Sequence, residues 1–145
     1  MKSVCSVMLA LFLAIPADAA KVEGRGREWL DEQKDSPQVD VTGSWQSRDW
    51  GALTLTQAEG SRDVSGGTDD YELTGVVSGK KLYLLFGKSS GSVAFCAILI
   101  SESDGILNGT YSYRVNRLRL GHGLCQRKRY RLRITKSSAA SVPHK

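Results

Sequence analysis

The spacing Ser78-Gly79-Lys80-Lys81 places a hydroxyl and an amine three residues apart, as penicillin-binding enzymes do around a serine nucleophile. That chemistry needs the serine at the start of a helix, where residues three apart lie on one face. Here the segment joins two runs typical of β-strands. The sequence therefore predicts a hairpin turn that splays the two side chains apart, and we interpret the pattern as a turn.

The remaining candidates for chemistry are one histidine and one acidic cluster. His122 lies between two glycines, and no Asp or Glu follows Asp104 to orient it as a general base. Asp69, Asp70 and Glu72 lie beside a predicted turn without the spacing of an EF-hand. We expect a flexible loop histidine and a solvated turn. The sequence thus predicts no enzyme, no metal site and no cofactor.

The N-terminus has the three parts of a signal peptide. Lys2 is followed by an apolar run from Val4 to Ile15, and Ala17-Asp18-Ala19 supplies the small residues of a cleavage site. The run is shorter than the roughly twenty residues that cross a bilayer. We predict a signal peptide over residues 1–20, a location in the periplasm or outside the cell, and no membrane span.

Export changes what the cysteines are expected to do. Cys5 leaves with the signal peptide, so the mature chain keeps Cys96 and Cys125. Two cysteines in an oxidising compartment most often pair. Closing a loop of about thirty residues stabilises a fold by about 3–4 kcal/mol on the chain-entropy model. The prediction is a disulfide, with two free thiols as the alternative.

The elements that position these residues are short β-runs separated by turn residues, with no helix between them. The runs are Val41–Gln46, Ala52–Gln57, Asp63–Ser65, Tyr71–Val77, Lys81–Phe86, Val93–Ser101, Ile106–Val115 and Arg129–Lys136. Parallel pairing needs long crossovers, so the sheet must be antiparallel. Closure would remove its edges. The sequence predicts an all-β fold, an antiparallel up-and-down barrel of about eight strands, with a two-sheet β-sandwich as the alternative.

The domain boundaries follow from the same pattern. The barrel is predicted over residues 41–136, after a charged linker or short helix over 21–40 and before a flexible tail over 137–145. The runs Leu82–Phe86 and Val93–Ile100 are apolar on both faces, so the outer face needs cover. We expect Trp29 and Leu30 of the linker to provide it. Homodimerisation is the alternative to a monomer.

The stretch Val41-Thr42-Gly43-Ser44-Trp45 carries a Gly-x-Trp on the first predicted strand. It resembles the opening of the calycin group, which comprises the lipocalins and the avidins. The resemblance implies that Trp45 plugs one end of the barrel beneath a basic side chain of the last strand, supplied by Arg131 or Arg133. It implies no catalytic residues.

The same stretch departs from the avidins at the positions that matter for biotin. Trp50-Gly51 before a threonine-rich strand is similar to avidin. Avidin-type sites, however, have a small polar residue where this chain has Ala52, and tryptophans in later strands, whereas Trp50 is the last one here. The resemblance therefore implies a fold and argues against biotin as the ligand.

Charge is distributed asymmetrically along the chain. The net charge is +5, and every charged residue after Asp104 is basic. On the last predicted strand, alternation places four arginines on one face: Arg127, Arg129, Arg131 and Arg133. Unpaired guanidiniums cannot occupy a core, so this face points outward. We interpret this face first as a solvated basic edge, with a contact surface for an anionic partner as the alternative. Nucleic acid is not expected, because the chain is exported and lacks a nucleic-acid-binding motif.

Two functions remain open, because eight-stranded barrels range from filled to holding one small ligand. The first is an exported, non-enzymatic binding protein for a small apolar or amphipathic ligand. Its predicted lining is Leu53, Leu55, Leu73, Leu82, Leu84 and Tyr111. The alternative is an interaction or inhibitor module that binds an anionic envelope component or protein through the basic strand, and it predicts a filled interior.

Overall fold

A computed structural model describes residues 26–88, 93–113 and 129–138, with Tyr113 and Arg129 described as backbone. Its strands are β1 (Gly43–Ser47), β2 (Gly51–Gln57), β3 (Asp63–Gly67), β4 (Glu72–Ser78), β5 (Lys81–Gly87), β6 (Val93–Ser103), β7 (Ile106–Tyr113) and β8 (Arg129–Lys136). Each strand pairs antiparallel with the next, and β1 pairs with β8. The chain is therefore a closed up-and-down barrel, as predicted, and the sandwich alternative is wrong.

The third strand differs from its prediction. Gly66 and Gly67 were expected to end it, yet both lie within β3 and pair with β4. The reason is the close approach of β2, because a Cβ on Gly66 would overlap the carbonyl oxygen of Thr54. Glycine inside a strand commonly marks such a contact between backbones. Gly66 therefore allows β2 and β3 to approach closely, and Gly67 continues the strand beside it.

Alternation along the strands sends one set of side chains into the barrel. They form a single cluster, which is Val41, Trp45, Leu53, Leu55, Val64, Leu73, Val77, Leu82, Leu84, Phe86, Ala97, Leu99, Leu107, Tyr111, Leu132 and Ile134. Every member is at most 7% exposed. Burying each large aliphatic side chain contributes about 1.5–3 kcal/mol relative to leaving it in water. This cluster is the main source of stability.

Strand direction alternates, so the barrel has two different ends. The lower end carries the tight β4–β5 and β6–β7 hairpins, where Gly79 and Gly105 adopt φ of 59° and 78°. Both hairpins were predicted from their glycine-containing dipeptides. The upper end carries the β1–β2 and β3–β4 turns, and it is where β5 and β7 end and β6 and β8 begin.

Trp45 closes the lower end of the barrel. Its Nε1–H donates to the carbonyl of Val41 at 2.8 Å, and Lys136 Nζ lies 5.7 Å from its ring centroid. The expectation that Arg131 or Arg133 covers this ring is wrong. Trp45 and Lys136 are partners in the β1–β8 register, whereas both arginines occupy the outward positions of β8. The basic residue over Trp45 is therefore one at an inward position.

Hydrogen bonds complete the lower end. The side chain of Gln57 accepts from the N–H of Val41 at 3.1 Å and donates to the carbonyl of Ser61 at 2.8 Å. The N–H of Thr42 donates to Asp40 Oδ1 at 2.8 Å and holds the pKa of that carboxyl below its usual range, with the Thr42 side chain and Lys136 adding to the effect.

A short helix, α1 (residues 26–31), covers the outer face of β4–β6. Trp29 and Leu30 pack there against Val76, Leu85 and Cys96, as expected from the two-sided apolar strands. The Trp29 ring meets Tyr83 edge-on, with centroids 5.6 Å apart and planes at 77°. The helix thus covers most of the apolar outer face within one chain, and Ile100 stays exposed.

Polar contacts hold this linker in place. Arg62 donates to the carbonyl of Gln33 and forms an ion pair with Asp31 at 3.4 Å. The N–H of Gln38 donates to the carbonyl of Gly79 at 2.9 Å. The linker is thereby fixed to the lower half of the barrel.

The strand glycines give the first prediction. Gly66→Ala should lower the free energy of unfolding by about 2–3 kcal/mol, because the new methyl group overpacks against Thr54. Gly67→Ala is the matched control, since its Cβ meets nothing nearer than the Tyr71 carbonyl oxygen at 3.5 Å and should cost less than about 0.5 kcal/mol. Urea denaturation measures both. Equal effects would contradict the close approach of β2 and β3.

The second prediction concerns the packing of α1 on the barrel. Trp29→Ala should release α1 from the barrel and destabilise the fold by about 3 kcal/mol, because a buried aromatic ring is removed. Amide exchange should accelerate at Glu32 and Gln33, whose N–H groups bond within this segment. Asp31→Asn is the control, because an exposed ion pair is worth at most about 1 kcal/mol. Unchanged exchange in Trp29→Ala would show that the tryptophan does not hold α1.

Candidate functional site

Ser78 and Lys81 flank the two-residue β4–β5 hairpin and are partners in its register. Directly opposed residues share a face, so the expectation that the turn splays them apart is wrong. Ser78 is buried, and its Oγ accepts the N–H of Asp35 at 3.1 Å. In the structure this hydroxyl attaches the linker to the barrel.

The acidic cluster lies around the β3–β4 turn. Asp69, Asp70 and Glu72 are all exposed, and Thr68 Oγ1 organises the turn by accepting the N–H groups of Asp70 and Tyr71 at 3.2 and 3.0 Å. Across the described ranges, no three metal-ligating side chains of the His, Cys, Asp and Glu types come together. His122 lies outside those ranges.

The six residues predicted to line a ligand cavity come together inside the barrel. Leu53, Leu55, Leu73, Leu82, Leu84 and Tyr111 all belong to the packed core. A groove of about 200 Å³ lies instead on the outer surface, beside α1, and its floor includes Leu30, Leu85 and Val93. The placement of the six residues is thus as expected, and their role in ligand binding stays a prediction.

An aromatic cluster occupies the upper end of the barrel. Its members are Trp50, Tyr71, Phe86, Phe95, Tyr111 and Tyr130. The ring of Trp50 lies 4.2 Å from Phe86 and 4.7 Å from Tyr111, centroid to centroid. Tyr130 stacks on Tyr111 at 5.3 Å and is 42% exposed. The rings fill this end and present one partly open edge.

Sequence reasoning had singled out only Tyr111 among these rings as part of a site. The signal that was available is their position along the strands. Trp50 and Tyr71 directly precede β2 and β4, and Tyr130 is near the start of β8. In an up-and-down barrel these positions all lie at one end, so a comparison of alternate strand ends would have grouped them.

The basic face consists of Arg131 and Arg133 on β8 and their cross-strand partners Thr110 and Asn108 on β7. Both arginines are exposed and alternate with the buried Leu132 and Ile134. The described residues include one ion pair, Arg62–Asp31, and neither arginine of the basic face forms one. The outward orientation predicted for the arginines is therefore confirmed for these two.

The other two predicted arginines are described less completely. The backbone of Arg129 lies in β8 opposite Ser112, and Arg127 lies outside the described residues. Cys96 is buried on the outer side of β6, and Cys125 lies outside the described residues, so the disulfide stays a prediction.

No helix in the described part of the chain is long and apolar enough to cross a membrane. No protein-family model matches the sequence, and neither a curated protein nor a solved structure is significantly similar to it. The chemistry of the interior, the upper end and the basic face is therefore the basis for assigning a function.

Proposed function

We propose that the protein is an exported, non-enzymatic interaction module that binds an anionic partner on its basic face. One observation carries the proposal. Two guanidiniums point outward from β8 without a carboxylate partner among the described residues, while the barrel interior is occupied by its own side chains. A filled interior is what the surface-acting alternative required.

The spacing of the two arginines suits a ligand with several negative charges. Residues two apart on a strand are about 6–7 Å apart, so one extended anionic group can contact both. Guanidinium presents a planar fork of donors that matches carboxylate and phosphate oxygens. Thr110 and Asn108 beside them add neutral polar groups. The basic face therefore offers several donor groups to one anionic ligand.

The expected binding is weak per contact and sensitive to salt. An exposed ion pair contributes at most about 1 kcal/mol, and salt screens it over roughly 8–10 Å. The net charge of +5 adds long-range attraction for anions. Affinity must therefore come from several contacts that act together.

Export and a disulfide belong to the same proposal. The N-terminal pattern favours cleavage near residue 20, and Cys96 is buried on the outer side of β6, where a bond to Cys125 would tie the β7–β8 connection to the barrel. Such a bond would strengthen the strand pairing next to the basic face.

The third prediction tests the basic face with poly-L-glutamate as the probe. The mature protein should be retained on immobilised poly-L-glutamate and elute as NaCl rises. Arg131→Gln with Arg133→Gln should elute at a clearly lower NaCl concentration, because both outward guanidiniums are removed.

The matched control removes the same charge elsewhere. Lys80→Gln with Lys81→Gln also lowers the net charge by two, at exposed positions of the β4–β5 hairpin. It should elute near the unmodified protein. Equal shifts in both double variants would mean that net charge alone is responsible and would overturn the proposed face.

A second candidate, binding of a small apolar or amphipathic ligand, is favoured by the upper end of the barrel. Tyr130 exposes 42% of its surface while it stacks on Tyr111, and Trp50 lies against the same ring. An aromatic edge of this kind suits a flat apolar group. The ligand would bind at this edge, above the packed core.

The fourth prediction separates this candidate from the first. Native mass spectrometry of the mature protein, purified without refolding from an exporting host, should show a bare chain if the basic face alone is functional. A reproducible extra mass that organic solvent releases, and that Tyr130→Ala abolishes, would establish the ligand role. The same spectrum tests the disulfide, whose formation lowers the mass by about 2 Da through loss of two hydrogens.

A further inference from the structure

The described residues have two exposed large hydrophobic side chains, Ile100 at 44% and Tyr130 at 42%. Ile100 lies on the outer side of β6, two strands away from Arg133. Tyr130 lies at an inward position at the rim of β8, where it stacks on Tyr111. Ile100 pairs with Asn108, and Asn108 pairs with Arg133, so the three form one row across β6, β7 and β8. Tyr130 directly precedes Arg131 at the upper rim. Exposed apolar and exposed basic groups are thus concentrated in one region.

The row is compact enough to act as a unit. Neighbouring strands are about 4.8 Å apart, so Ile100 and Arg133 are separated by roughly 10 Å across the outer surface. Thr110, one row higher, lies between Ile98 and Arg131 in the same manner. The surface therefore changes from apolar to neutral polar to basic over three strands.

We propose that the anionic partner is a phospholipid bilayer surface. This deepens the proposed function and rests on it. The arginines would contact headgroup phosphates, Ile100 would enter the interfacial region, and Tyr130 would lie at headgroup depth, where amphipathic aromatic rings are enriched. An anionic polymer without apolar groups would leave Ile100 unused.

The shape of the surface favours a lipid over a second copy of the chain. A stable protein interface buries about 800 Å² on each partner around an apolar centre. Ile100 is the one exposed large aliphatic side chain among the described residues, and it lies on a convex sheet. Trp29 and Leu30 of the same chain already cover the neighbouring outer face. A fluid bilayer adapts to a convex surface and needs no matching pocket.

One carboxylate near this surface would weaken its binding to an anionic bilayer, and its removal provides a further test. Glu102 is exposed near the end of β6, and its Oε2 accepts the Asn108 Nδ2–H at 2.6 Å. Glu102 therefore lies close to the row of Ile100 and Arg133 and repels an anionic surface. Its neutralisation should strengthen binding to such a surface.

The experiment measures binding of the mature protein to vesicles by sedimentation. One set contains phosphatidylglycerol mixed with phosphatidylcholine, and the other contains phosphatidylcholine alone. The protein should bind the first set and not the second, and NaCl should weaken the binding. Arg131→Gln with Arg133→Gln should lower the affinity by about 25-fold, at about fivefold for each arginine near an anionic surface. Lys34→Gln with Lys88→Gln is the control here, because both lysines are exposed and lie outside the row, whereas Lys81 pairs with Ile100. This variant should remain close to the unmodified protein.

Ile100→Ser is the decisive variant. It should lower the affinity for phosphatidylglycerol vesicles by about 5–10-fold, because part of an aliphatic side chain no longer leaves water. It should leave elution from poly-L-glutamate unchanged, because no charge is altered. Glu102→Gln should raise the vesicle affinity by a few fold. Thermal unfolding confirms that each exposed-site variant is folded.

The outcomes separate this inference from the proposed function. Retention on poly-L-glutamate that depends on the two arginines, together with no binding to phosphatidylglycerol vesicles, overturns the lipid proposal and leaves the basic face intact. Vesicle binding that Ile100→Ser does not change also overturns it, because a purely electrostatic contact would then suffice. Loss of arginine dependence with both probes overturns both proposals.

Discussion

The pairing of β1 with β8 is the constraint on which the rest of the structure depends. It joins Trp45 to Lys136, Gln46 to Thr135 and Ser47 to Ile134. The N–H of Ser137 donates to the carbonyl of Ser44 and extends the junction. Once the sheet is closed, each strand has an inner and an outer side. A slip of one residue in β8 would turn its arginines inward and its aliphatic residues outward. The register that closes the barrel therefore also determines that the arginines of β8 point outward.

Filling the closed barrel follows from its size. An eight-stranded barrel is just wide enough for side chains to occupy its interior. Aliphatic residues fill the middle, Trp45 closes the lower end and an aromatic cluster closes the upper end. The strands β4 to β6 are apolar on their outer side as well. Trp29 and Leu30 of α1 pack against that side and bury it. Among the described residues, the large hydrophobic side chains that remain exposed are Tyr130 at the rim and Ile100 on the outer side of β6.

Much of this arrangement could be predicted from residue patterns, because alternation and turn chemistry are local properties. The strand order, the six core residues and the cover by Trp29 follow from polarity with a period of two. Contacts between distant strands were harder to predict. Gly66 lies in a strand because β2 approaches it, and Lys136 lies over Trp45 because of the β1–β8 register. Neither contact has a signal within its own segment.

For the site too, features within one strand could be predicted from the sequence, whereas contacts between strands could not. The outward direction of Arg131 and Arg133 follows from alternation with Leu132 and Ile134 on one strand. The neighbourhood of Ile100 and Arg133 requires two cross-strand registers, β6 with β7 and β7 with β8. A bulge in the β6–β7 pairing lies just beyond Ile100, between Ser101 and Ser103. Counting residues outward from the hairpin turn would therefore give the wrong partner for Ile100.

A comparison within the molecule shows how the exposed arginines differ from a structural one. Arg62 donates to the carbonyl of Gln33 and pairs with Asp31, so its charge is used to hold the linker against the barrel. Arg131 and Arg133 form no ion pair with the described carboxylates, and the nearby Glu102 is engaged by Asn108. A guanidinium that the fold itself does not neutralise retains its full attraction for an external anion, limited by water and salt. The closed barrel fixes the spacing of these two groups on a rigid strand, so their backbone loses little conformational freedom when they bind. This preorganisation allows individually weak contacts to add up.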